Sequence, residues 1–207
     1  MPQHEPSVLS LPHRIVRGLA VLSANNTGWG HEVWLAMLVA ASAAFSFVFA
    51  CATPFAAFGA AAALTLSRRD ALRLTVAVWL ANQVLGYAVL QYPWTANSFA
   101  WGAMLGAAAV LTTVGARGVA RRLAGRSDGV RALATLLAAF MVYEGVLFAV
   151  AMAWLGGTES FTLPIVGRIF AVNVVALIGL YALHRVGVAV GLVGPSTLRL
   201  SAAGGTA

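Results

Sequence analysis

Cys51 is the only thiol in the chain, and it stands three residues before Pro54 in the stretch FVFACATPFAAF. A cysteine can do chemistry as a thiolate, and a helix N-terminus beside the sulfur favours that form. As a soft ligand it can reach a metal held inside a bound compound. A plainer reading makes Cys51 a small buried apolar residue. The residues alone leave both readings open. One cysteine does exclude an internal disulfide and a cysteine-cluster metal site.

A second chemistry-bearing group lies further along. Trp79, Asn82, Gln83, Gly86 and Tyr87 fall at i, i+3, i+4, i+7 and i+8, one face of a helix, with Tyr92 and Trp94 just beyond. They fit either hydrogen bonding between helices with an aromatic interfacial belt, or the wall of a ligand pocket open outward. Glu144 and Arg168 complete the set. Each sits in an apolar stretch where a lone charge is expensive. An ion pair between them, direct or through a ligand, is expected, with Tyr143 and Asn173 adding hydrogen bonds.

These residues are embedded in a chain that is 60% hydrophobic and 9% charged. A soluble domain carries about 25% charged residues. Long apolar runs recur throughout, which predicts an all-α integral membrane protein. Apolar residues run almost unbroken from Val33 to Leu66. One helix of that length would measure about 50 Å against a hydrocarbon core of about 30 Å. Two short spans fit better, broken at Cys51-Ala52-Thr53-Pro54, with Thr53-Pro54 starting the second helix. Further spans are expected over Ala71–Gln91, Ser98–Ala116, Arg131–Leu155 and Pro164–Val186.

Charge supports six transmembrane helices. All thirteen basic residues are arginine. With six spans, every one except Arg168 lies on one side, which the positive-inside rule makes cytoplasmic. Both termini are then cytoplasmic, and CATP, QYPWTAN and LGGTESF face outward. The net charge of +7 therefore follows from loop placement and requires no nucleic-acid partner. The expected organisation is an N-terminal cytoplasmic or interfacial segment over 1–30, a transmembrane domain over 31–190, and a mobile tail over 191–207. The early residues show no cleavable signal peptide.

Small residues mark close approaches. Ala36, Ala40 and Ala44 are spaced by four in the first span, and Gly102 and Gly106 form a GxxxG in the fourth. Either surface serves internal packing or the docking of another membrane subunit. There is no HExxH, GxSxG or P-loop, so an intramembrane hydrolase is not indicated, and active transport needs an energising partner.

The segments FACATPF, WLANQVLGY and YPWTANSFAWG, within residues 33–116, carry a resemblance. With some 200 residues, six spans and an alanine-spaced first span, the chain resembles the BtuM-like cobalamin-binding S components of energy-coupling factor vitamin transporters. The resemblance implies a multi-pass protein of the bacterial inner membrane that binds cobalamin from the periplasmic side. It implies that Cys51 is the axial ligand of the corrin cobalt, a coordination able to promote loss of cyanide from cyanocobalamin. Asn82, Gln83, Tyr87, Tyr92 and Trp94 would contact the corrin ring or its amides. Arg168, opposite Glu144, would meet the phosphate or a propionamide. The partner would be a membrane coupling subunit driven by separate ATPases. Competing expectations are a self-contained permease for a small solute or metal ion, and a membrane enzyme or redox protein using Cys51.

Overall fold

The computed structural model describes residues 29–45 and 53–193. Among these, the regular structure is entirely helical. Helix α1 covers residues 29–45. It is followed by α2 (Phe55–Thr65), α3 (Arg68–Ala88), α4 (Ala96–Arg122), α5 (Asp128–Val150) and α6 (Leu163–Ala189). A single π-helical turn, Ala151–Leu155, extends α5, and a 3-10 turn, Thr158–Phe161, leads into α6.

The helix ends follow from local chemistry. Pro54 sits at the N-cap of α2, where its missing N–H costs nothing. The Ser67 hydroxyl accepts from the Asp70 backbone N–H at 3.2 Å to start α3. Thr95 does the same for Ser98 at the start of α4. Proline lies in the first turn of α6, as its fixed φ favours.

Three helices are long and apolar enough to cross a membrane: Ala96–Arg122, Asp128–Leu155 and Leu163–Ala189. They coincide with three of the six expected spans. α3 is also long, but Arg68, Arg69, Asp70, Arg73, Asn82 and Gln83 reduce its apolar character.

α2 falls within the expected second span, starts after Pro54 as expected, and is short. α2 has 11 residues and measures roughly 16 Å, about half of a hydrocarbon core. It is buried on every side, from Phe55 to Leu64 with only Ala61 partly open. An all-round apolar helix belongs in a protein interior. α2 is accordingly the axial strut of the bundle, packed against α3, α4, α5 and α6. Phe58 also meets Phe45 of α1 edge to face. Its alanines and Gly59 allow this crowding. A Cβ on Gly59 would stand 3.1 Å from Thr112 Cγ2 and 3.2 Å from Thr113 Oγ1.

Among the described residues, the arginines other than Arg168 collect at one end of the bundle. His31 of α1 lies 3.4 Å from Asp70 at the start of α3. Arg117 of α4 donates to the Leu66 carbonyl beyond α2, and Arg131 of α5 donates to Ala120 of α4. Trp34 of α1 lies against Gly187 near the end of α6. The start of α1, α3 and α5 thus shares an end with the finish of α2, α4 and α6.

Candidate functional site

α2 does not begin at the opposite end of the bundle. Its N-terminus is held inside by two amides. The Thr53 hydroxyl donates to Asn82 Oδ1 at 2.6 Å, and the Ala57 backbone N–H donates to Asn173 Oδ1 at 2.9 Å. Asn173 Nδ2 donates in turn to the Ile169 carbonyl of its own helix. Asn173 lies about 15 Å along α6 from Leu163. The start of α2 therefore sits near mid-depth. Thr53 and Pro54, read from the sequence as part of an outward turn, are buried.

A free helix N-terminus leaves backbone donors without partners. Pro54 at the N-cap makes no side-chain cap, and a side chain from another helix supplies one acceptor. Phe55, the first residue of α2, stacks on Tyr143 of α5 with ring centroids 5.7 Å apart. Four elements thus converge on this point: Asn82 from α3, Tyr143 from α5, Asn173 from α6, and the Thr53–Phe55 segment.

The face of α3 divides between two neighbours. Asn82 looks toward the start of α2. Trp79 looks toward α4, where its indole N–H donates to the Gly102 carbonyl at 2.8 Å and its ring covers Gly106. Gln83 lies against Gly102, and its Nε2 is buried without a hydrogen-bond partner. The GxxxG of α4 is thereby occupied by α3 side chains from within the chain.

Tyr87 forms a hydrogen bond with Ser98 at 3.0 Å. Its ring stacks on Phe99 at 4.8 Å and meets Tyr92 and Trp94 edge-on. Gln91 turns the chain back with φ 55°, and the Tyr92 ring covers Gly86. Tyr87, Tyr92 and Trp94 are therefore brought together, in an aromatic corner between α3 and α4.

The expected ion pair does not form. No salt bridge joins Glu144 to Arg168 among the described residues. Glu144 is half-buried on α5 and Arg168 is exposed on α6. The two helices meet through Phe140 and Phe170, 5.0 Å apart between centroids. Tyr143 and Asn173, expected beside that pair, are engaged at the start of α2 instead.

Cys51 lies outside the described residues. Thr53, two positions later in the sequence, is the residue anchored to Asn82. Sequence reasoning missed Thr53 and gave Asn173 a different role. An amide facing a short alanine-rich helix was the available signal. The alanine stripe of α1 is explicit in the structure: Ala36, Ala40 and Ala44 are all exposed, while Trp34, Leu38 and Ser42 face inward.

Comparison with protein-family models, curated proteins and solved structures returns no match.

Proposed function

We propose that this chain is the substrate-binding membrane subunit of a vitamin uptake system, with cobalamin as the vitamin and Cys51 as its cobalt ligand. The observation that carries this reading is the buried start of α2. A helix that opens at mid-depth presents its positive end to the interior of the bundle. Cys51 precedes that end by a few residues in sequence, where a thiolate is favoured. Gln83, with an unpartnered buried amide nitrogen, and the unpaired Glu144 and Arg168 supply polar groups for corrin amides or the phosphate. Asn82 and Tyr87 are already bonded to neighbouring helices, so they position the site as well as lining it. Tyr92 and Trp94 offer apolar ring faces at the α3–α4 corner.

On this reading the chain crosses a bacterial inner membrane six times. The arginine end is cytoplasmic, as are both termini. The exposed Ala36, Ala40 and Ala44 allow close approach of a partner helix, and an ATPase-driven coupling subunit is the partner proposed. A self-contained permease would need a continuous polar path, whereas α2 fills the axis with buried alanine and phenylalanine.

The test is a visible spectrum of protein purified after growth with cobalamin, wild type against Cys51→Ala. A corrin spectrum that the substitution alters is the expected result. Colourless protein that also fails to bind added cobalamin would remove the vitamin. A corrin spectrum indifferent to the substitution would retain the vitamin and remove the thiolate.

A further inference from the structure

One exposed stripe of α3 changes character along its length. Arg69 and Arg73 stand a turn apart near its start, and Leu72, Val76 and Leu80 continue the same side of the helix. Alongside runs a groove between α3 and α4. Ala103, Gly106 and Ala107 keep the α4 wall low, and the Trp79 ring lies over Gly106.

This groove offers hydrocarbon and no free polar group from its two potential donors. The Trp79 indole N–H is committed to the Gly102 carbonyl. The Thr75 hydroxyl is committed to Ala71 and Thr113. Positive charge is confined to one end. Asp70 is 3.6 Å from Arg73, which leaves Arg69 with no ion-pair partner among the described residues.

The dimensions match one lipid leaflet. Arg69 and Leu80 are about 16 Å apart along the helix, and half of a hydrocarbon core is about 15 Å. The arginines therefore stand at headgroup level when the groove lies at acyl-chain depth.

We infer that the α3–α4 face is a binding site for one anionic phospholipid of the leaflet at the arginine end. Its phosphate-bearing headgroup meets Arg69 and Arg73, and one acyl chain lies in the groove beside Trp79. The layout, cationic at one end and apolar along the rest, matches a charged headgroup with its acyl chain. The inference requires a membrane setting and does not depend on the vitamin.

Native mass spectrometry of the protein released from vesicles of phosphatidylglycerol and phosphatidylcholine tests it. Wild type is expected to retain one phosphatidylglycerol in preference to phosphatidylcholine. Each juxtamembrane arginine is worth about fivefold, so Arg69→Gln with Arg73→Gln should lower that preference by roughly 25-fold. Arg126→Gln with Arg185→Gln, exposed at the same end but on the α4–α5 loop and on α6, should leave it unchanged. Ala107→Phe, which fills the groove from an exposed position, should abolish retention of either lipid. Equal retention of the two lipids by wild type would overturn the inference. So would a preference that the Arg126 and Arg185 changes remove as effectively, because diffuse charge would then explain it. Retention unaffected by Ala107→Phe would also overturn it.

Discussion

α1 and α2 come from the same apolar run, Val33 to Leu66, yet the bundle treats them in opposite ways. α2 is enclosed on all sides and begins inside the protein. α1 buries one side through Trp34, Leu38 and Ser42 and exposes Val33, Ala36, Met37, Ala40 and Ala44 on the other. Alanine serves both, for different reasons. In α2 it lets four helices close around an axis. In α1 it leaves a smooth outer surface that nothing in the described structure covers. The contrast shows that alanine spacing alone does not distinguish an enclosed helix from one with an open face.

The largest test of that contrast is steric. Gly59→Leu in α2 would drive a side chain into Thr112, Thr113 and the Thr113 backbone nitrogen, 3.5 Å from the position of the new Cβ. Overpacking of this kind costs about 1–3 kcal/mol and sometimes more. Ala40→Leu in α1 is the matched control and should change stability by less than about 0.5 kcal/mol. Thermal unfolding in detergent, followed by tryptophan fluorescence, reads both. Equal effects at the two sites would show that α1 is covered as fully as α2.

Next comes the amide that receives α2. Asn173→Ala leaves the Ala57 N–H buried without an acceptor, at a cost of about 1–3 kcal/mol. The loss should be independent of pH and nearly independent of salt, since neither partner is charged. If Asn173→Ala unfolds at the wild-type temperature, the start of α2 is held by packing alone.

Much of the helical layout was legible from the chain. Proline at position 54, the arginine loops and the long apolar runs gave the start of α2 and the approximate course of α4, α5 and α6. The depth of α2 was not legible, because hydropathy assigns the same value to an alanine facing lipid and one facing protein. A direct Glu144–Arg168 pair is absent for a related reason. Each charge was placed correctly along its helix, but its direction around the axis depends on how α5 and α6 pack, here through Phe140 and Phe170. On α3, spacing grouped Asn82 with Trp79, Gln83 and Tyr87, and the structure divides that face between α2 and α4. Residues spread over a wide helical arc can share a face and still serve different neighbours.

The smallest expected effect concerns the polar tie between α1 and α3 at the arginine end. Asp70 touches His31 of α1 and Arg73 of its own helix, and the Ser67 hydroxyl donates to it. Partial burial pushes its carboxyl up. The Ser67 hydrogen bond, His31 and Arg73 together outweigh that and hold it below the usual aspartate range. A depressed carboxyl pKa means that the unfolded chain binds the proton more readily. The stabilisation is therefore fully present above the ordinary aspartate value and is lost as pH falls through the depressed one. Because the group is partly exposed and screened, Asp70→Asn should cost no more than about 0.5 kcal/mol at neutral pH. The difference from wild type should shrink in high salt and disappear in acid. Unfolding of both proteins across pH and salt measures it. A difference that persisted in acid would mean that Asp70 holds α1 through shape and hydrogen bonding, and the attachment of α1 would then resemble that of α2 more closely than the contact chemistry indicates.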